Sequence, residues 1–236
     1  MPTTRLDRRL AELLGCPRGE ARRLIEGGWV SLDGVVVEQP QLQVGLDAAP
    51  QVAEQASDSR LERASMLLNK PAGTPAHALC AQVTPDTRST LDAGGTRILQ
   101  RHFHGLQLGA SLPAEDSGLV VVSQDPRILA YLQQTLPRLE QEFLVDVRGE
   151  RALWDVGRLQ AGLQDGGRPQ PPCRISWQSE QRLRFAGKGL SPRLLRQACA
   201  AANMQVVGIR RLRIGRVALG PLAAGQWRYA GSDERF

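Results

Sequence analysis

Residues 5–37 read RLDRRLAELLGCPRGEARRLIEGGWVSLDGVVV, and their periodicity decides the first part of the fold. Leu6, Leu10, Leu13 and Leu14 recur at helical spacing with arginines between them. Gly15 and Pro17 punctuate the chain, and a second helix over 18–27 puts Ala21, Leu24 and Ile25 on one face. The stretch from Trp29 to Val37 alternates around Asp33-Gly34, a strong short hairpin signal. Residues 5–45 therefore form a helix–turn–helix–hairpin unit. Its two helices carry Arg5, Arg8, Arg9, Arg18, Arg22 and Arg23, with Arg18, Arg22 and Arg23 near one face. A helix pair of this kind can track a phosphate backbone. Glu12, Glu20 and Glu26 stand among these arginines, and on composition alone a solvated face is the better account.

Outward from this unit, residues 47–64 are polar and rich in Ala and Gln, as suits a linker. From residue 65 short β-like runs recur, at 66–68, 119–122, 143–147, 174–177, 182–185, 206–209 and 216–219. Helical patterns occupy only 126–136 and 191–202. Many strands, few helices and no βαβ alternation predict an α+β domain with a largely antiparallel sheet. The expected organisation is a small αα-β-hairpin domain over 3–50, a linker over 51–64 and a larger domain over 65–236.

The net charge of +6 over 236 residues favours an acidic partner, most simply nucleic acid. Lys70 and Lys188 are the only lysines among 30 basic residues. Arginine suits bidentate phosphate contacts, although a base-composition bias in the source genome gives the same skew. Cys16, Cys80, Cys173 and Cys199 lie far apart without a CxxC pair, which argues against a zinc site or disulfide framework. The chain shows neither an apolar leader nor a membrane-length apolar run, so a cytoplasmic, monomeric protein without cofactor or membrane contact is expected. His77, His102 and His104 lack metal-ligand spacing and read as loop or surface residues. Trp154, Trp177 and Trp227 sit in apolar surroundings and read as core. The window 181–216 holds nine basic residues, among them Arg196, Arg210 and Arg211, and no acid, so a local electropositive surface is expected there.

Pattern adds to composition. The opening Arg-Leu-Asp, the glycine between the helices, the basic-Ala-basic helix and the hairpin with its glycine resemble, in register, the S4 RNA-binding domain of a small-subunit ribosomal protein and many RNA-modifying enzymes. That resemblance implies that the two helices dock on RNA through Arg5, Arg8, Arg18, Arg22 and Arg23. A second resemblance starts at Leu67-Leu68-Asn69-Lys70-Pro71-Ala72-Gly73, which is similar to the entry of the catalytic domain of bacterial ribosomal-RNA pseudouridine synthases. It continues through Ser117 to Val122, Glu140 to Val147, Leu159 to Gly166, Ile214-Gly215 and Gly225 to Arg228. Together the two resemblances cover nearly the whole chain.

Such enzymes detach uracil from ribose, rotate it and rejoin it through carbon, after flipping the nucleotide into a pocket. By the resemblance, one aspartate carries this chemistry, in a Gly-Arg-Leu-Asp loop just before the segment Ser117-Gly118-Leu119. Here that loop reads Ala110-Ser111-Leu112-Pro113-Ala114-Glu115-Asp116, with Pro113 at the aspartate's place and Ser111 at the arginine's. Proline can be neither nucleophile nor base. Gln141 and Phe143 replace a basic residue and a tyrosine, although Phe143 can still stack on a base. Arg196 is the one arginine kept from a late basic motif, and Lys70, Phe143, Arg196, Arg210 and Arg211 are the RNA contacts expected from the larger domain. Leu91-Asp92 and Gly157-Arg158-Leu159 only superficially match the catalytic loop. Asp116 is the one serious substitute acid; the plainer reading makes it an exposed loop acid or a cap.

The expectation is an RNA-binding member of the synthase family with a degenerate pocket, gripping structured, ribosomal RNA. The alternatives are an active synthase using Asp116 and a ribosome-associated S4 factor.

Overall fold

In the computed structural model, the described residues are all except Met1, 58–60, 93–95 and Ser232. The predicted linker over 51–64 thus lies partly outside the described residues. The chain divides into two compact units, one of Met1–Arg63 with Arg97–Gly105, the other of Ala64–Thr96 with Leu106–Phe236.

The first unit begins with β1 (Thr3–Arg5), which leads into α1 (Leu6–Leu14) and α2 (Arg18–Glu26). Gly15, left-handed at φ 64°, ends α1 and returns its N–H to the Ala11 carbonyl. Leu6, Leu10, Ala21, Leu24 and Ile25 bury the facing stripes of the two helices, as their spacing predicts. Leu13 and Leu14 instead remain 48% exposed. β2 (Val30–Leu32) and β3 (Val35–Val36) form the hairpin, with Asp33 and Gly34 both at positive φ, 49° and 79°, as a type I′ turn requires. β4 (Gln43–Gly45) pairs with β1, and β5 (Gln51–Val52) pairs with β2. The first residues of the expected linker are therefore a strand of this unit. The excursion 97–105 also belongs to it: the Arg97 guanidinium lies 3.9 Å from the centre of the Trp29 ring and donates to the Gly28 carbonyl.

The second unit is one nine-stranded, mainly antiparallel sheet. Its strands are β6 (Ser65–Lys70), β7 (Gln107–Ala110), β8 (Ser117–Ser123), β9 (Gln141–Arg148), β12 (Cys173–Ser179), β13 (Arg182–Gly187), β14 (Gln205–Ile214), β15 (Val217–Ala218) and β16 (Trp227–Tyr229). The two-residue strands β10 (Gln164–Asp165) and β11 (Arg168–Pro169) make a separate hairpin. The order across the sheet is β12-β13-β9-β14-β8-β6-β16, with β15 on β14 and β7 on β8. α3 (Pro126–Thr135) is capped by Asp125, whose side chain accepts from the Arg127 N–H. The short α4 (Val156–Gln160) and then α5 (Pro192–Ala201) complete the unit, α5 capped in the same way by Ser191.

β8 is buried along Gly118–Ser123, which explains its unbroken apolar reading in place of an alternating one. Among the named strands of the described residues one pairing is parallel: β14 meets β8 at Arg210–Ser117 and Arg211–Gly118. Gly118 makes this approach possible. Its φ is +103°, and a Cβ there would stand 2.2 Å from the Arg211 carbonyl oxygen. Leu67, Leu119, Val121, Leu132, Ile214 and Leu219 form the core around this junction.

Candidate functional site

In the helix pair, Asp7 is buried at 2% exposure and organises the basic face. Burial alone would raise its carboxyl pKa, but hydrogen bonds from Arg5 and Arg18 win and hold it below the usual carboxylate range. Arg5 donates Nε and Nη2 to the two Asp7 oxygens at 3.2 and 3.0 Å, and Arg18 Nη2 reaches both at 3.1 and 3.0 Å. Arg9 donates to the Ala48 carbonyl at 2.9 Å. Arg8 and Arg22 pair with Glu12 and Glu26 one turn on, at 3.0 and 2.7 Å, on exposed helix surface. Exposed pairs of that kind contribute little stability, so both guanidiniums can exchange a glutamate for a phosphate at small cost. Arg23 is half-buried on the same helix.

In the larger unit, the loop from Ala110 to Ser117 is held from below by Lys70. The Lys70 ammonium is fully buried and donates to the carbonyls of Pro71, Ala114 and Asp116 at 3.1, 2.8 and 2.6 Å. Burial lowers its pKa, opposed by the charges of Asp116 and Glu115. Asp116 itself has no exposed surface. Its two oxygens accept from Arg196 Nη1 at 3.0 Å and Nη2 at 2.5 Å, the bidentate geometry of a strong carboxylate–guanidinium pair. The loop acid of the plainer reading is thus a buried, fully engaged carboxylate. Hydrogen bonding to Asp116 raises the Arg196 pKa.

Behind this loop lies Arg211, buried at 2% exposure with no acid beside it. Its donors go to the carbonyls of Leu119 and Ala110 at 2.7 and 2.9 Å and to Gln141 Oε1 at 3.4 Å. Burial pushes its pKa down to about 9. Gln141 fills the place of a basic residue by accepting from this cation while donating Nε2 to the Leu136 and Leu190 carbonyls.

Three residues expected at an RNA surface are therefore interior. Lys70, Phe143 and Arg211 are 0%, 0% and 2% exposed. Phe143 faces inward because β9 alternates, Glu142 and Leu144 lying on the other side; it cannot stack on a base from there. The basic window over 181–216 is likewise divided. Arg211 is internal, Arg196 is half-buried against Asp116, Arg193 pairs with Asp165 at 2.6 Å, and Arg210 is exposed on the sheet. Sequence reading missed Arg174, which precedes the window yet shares the exposed face of the sheet with Arg184. Its only signal is the alternation of Arg174 and Ser176 with Ile175.

The aromatic and histidine expectations also change. Trp227 is buried, but Trp154, just after the short helical turn Arg151–Leu153, and Trp177 of β12 stack on each other at 5.5 Å, Trp177 remaining 37% exposed. His102 is buried, and desolvation with the nearby Arg101 lowers its pKa to about 4. Among the described residues no group of three His, Cys, Asp or Glu can hold a metal. None of the described helices is long and apolar enough to cross a membrane.

Against known proteins, the S4 domain family matches residues 4–48. A protein of Aquifex aeolicus (strain VF5), described as an uncharacterized RNA pseudouridine synthase, is 24% identical over 254 residues, covering 99% of this chain and 93% of that protein. A solved structure titled "Crystal structure of pseudouridylate synthase" superposes on 96% of this chain and 95% of its own, with a TM-score of 0.55 and 19% identity, which places the two in one fold.

Proposed function

We propose that this chain, which belongs to the RNA pseudouridine synthase family and carries an S4 domain, binds structured ribosomal RNA in the cytoplasm as a monomer and does not isomerise uridine. The observation that carries this reading is the state of Asp116. An acid that attacks a nucleotide, or moves its proton, needs a free lone pair within reach of the substrate. Asp116 has no exposed surface, and both its oxygens face one guanidinium. Pro113, at the position the family reserves for its aspartate, has no such group to offer. The interior position of Phe143 removes the stacking platform as well.

RNA binding rests on the S4 match and on the exposed arginines of α1 and α2. The test combines two measurements on the purified chain with ribosomal RNA. Binding should weaken steeply with salt, since arginine–phosphate contacts release counterions, and mapping should find no new pseudouridine. Pseudouridine formed at a defined site and lost in Asp116→Asn with affinity unchanged would make Asp116 the active acid instead. Co-sedimentation with ribosomal subunits in the absence of free-RNA binding would favour a ribosome-associated factor.

A further inference from the structure

The strands β12, β13, β9 and β14 pair antiparallel, with register shifts between Trp177 and Ser179, Val206 and Gly208, and Arg211 and Arg213, and residues directly paired across them share a face. Arg174 pairs with Ala186, Ala186 with Glu142, and Glu142 with Arg213. One step along, Ser176 pairs with Arg184, Arg184 with Leu144, and Leu144 with Arg210. Arg182 pairs with Asp146 in the next row. The other face of the same strands holds Phe143, Phe185 and Arg211, all buried. The open face thus gathers Arg174, Arg182, Arg184, Arg210 and Arg213, with Lys188 at the end of β13. Six cations stand against three acids, Glu140, Glu142 and Asp146.

The three acids fix guanidiniums in place without neutralising the face. Glu142 accepts from Arg184 at 2.7 Å and from Arg213 at 3.4 Å; Glu140 takes Arg213 at 2.6 Å, and Asp146 takes Arg182 at 2.6 and 3.0 Å. The side chains of Arg174, Lys188 and Arg210 are exposed and make no hydrogen bond or salt bridge within 4 Å with any described residue, although the charges of Arg174 and Lys188 help hold the Glu140 carboxyl below its usual range. A groove of about 910 Å³ runs between Arg174, Lys188, Arg184 and Arg213, walled by Pro171 and Pro172. Neighbouring strands lie ~4.8 Å apart, so Arg174 and Arg213, three strands apart, stand roughly 14 Å from each other at their backbones. A single small anion cannot meet cations over that span. A polymer carrying one phosphate per residue can.

We propose that this sheet face, opposite the buried Phe143, Phe185 and Arg211, is a second RNA-binding surface that takes a phosphodiester backbone along the groove between Arg174 and Arg213. Arg174, Lys188 and Arg210 supply the free charges, and Arg184 and Arg213 are pre-positioned by Glu142. Contacts of this kind orient RNA without reading its sequence. The inference rests on the proposed RNA-binding function, and the experiment separates the two.

The full chain is titrated with a transcribed ribosomal-RNA hairpin at salt concentrations from about 50 to about 200 mM. For the double variant Arg174→Ala/Lys188→Ala, the slope of log affinity against log salt should become shallower by about 2, one for each phosphate no longer engaged. Both side chains are exposed and act on Glu140 only through space, while Glu140 keeps its hydrogen bond from Arg213, so the melting temperature should stay close to the wild-type value, which checks folding. The matched double variant Arg127→Ala/Arg158→Ala removes equal charge elsewhere and should keep the wild-type slope. Equal slope changes in both doubles would reduce the effect to bulk charge and overturn the surface. An unchanged slope in Arg174→Ala/Lys188→Ala, with steep wild-type binding, would overturn the surface and leave the proposed function standing. A salt-independent wild type would overturn both.

Discussion

Asp116 and Arg196 lie 80 residues apart in sequence and meet through two hydrogen bonds, with the carboxylate fully buried and the guanidinium side chain 32% exposed. The asymmetry sets the consequence of breaking the pair. Arg196→Ala leaves a buried carboxylate without its counter-charge, and complete burial of both partners would set a cost of ~3–5 kcal/mol. Water reaching the Arg196 side of the pair lowers the expected loss to about 2–4 kcal/mol. Asp116→Asn/Arg196→Ala should lose less than Asp116→Asn and Arg196→Ala summed, because no buried charge is then left unpaired. Urea denaturation of the four proteins measures both effects.

A second prediction concerns acid. The Asp7 pKa is depressed in the folded chain by Arg5 and Arg18. A depressed carboxyl stabilises the fold fully above its ordinary value of 3.8 and loses that contribution as pH falls through the lower folded value. Asp7→Asn should therefore destabilise the chain at neutral pH by about 1–2 kcal/mol, the scale of hydrogen bonds to a charged group. It should also flatten the fall in stability below pH 3.8. Thermal unfolding followed by circular dichroism across that range reads both.

Gly118→Ala tests the parallel junction. The added methyl carbon would occupy space 2.2 Å from the Arg211 carbonyl oxygen, at a φ of +103° that alanine does not tolerate. A loss of at least about 3 kcal/mol is expected from backbone strain and separation of β8 from β14. Leu67→Val, a loss of one methylene in the same core, should cost only ~1 kcal/mol. Soluble yield and melting temperature distinguish the two.

Arg8→Ala and Arg22→Ala should separate stability from binding. Each removes an exposed pair to glutamate, worth at most about 1 kcal/mol. Each should nevertheless reduce the salt slope of RNA binding by about 1. An unchanged slope with an unchanged melting temperature would remove that arginine from the RNA interface.

Local patterns carried most of the fold. The hairpin at Asp33-Gly34, both helices of the first unit and the bounds of α3 and α5 follow from residues adjacent in sequence, whose turn and capping chemistry acts locally. The excursion 97–105 was not legible, because its attachment depends on Arg97 meeting Trp29 and Gly28 some 69 residues earlier. The same holds for the site. Pro113 and Asp116 are visible in the sequence, whereas the partner of Asp116 is 80 residues away. Basic residues were visible as a run from 181 to 216, but strand register sorts them. Arg210 and Arg211 are neighbours in sequence, and pleating sends the first to solvent and the second into the interior.

Lys70 hydrogen-bonds the loop before β8 through the backbone carbonyl oxygens of Ala114 and Asp116. Every residue type has that oxygen, so these hydrogen bonds do not depend on which side chains the loop bears, while the charges of Glu115 and Asp116 add to them by favouring the Lys70 cation. Residues 113–115 can then be exchanged through evolution without the loop losing its course. A scaffold held in this way can shed its chemistry and keep its outline, free to serve wherever outline alone is needed.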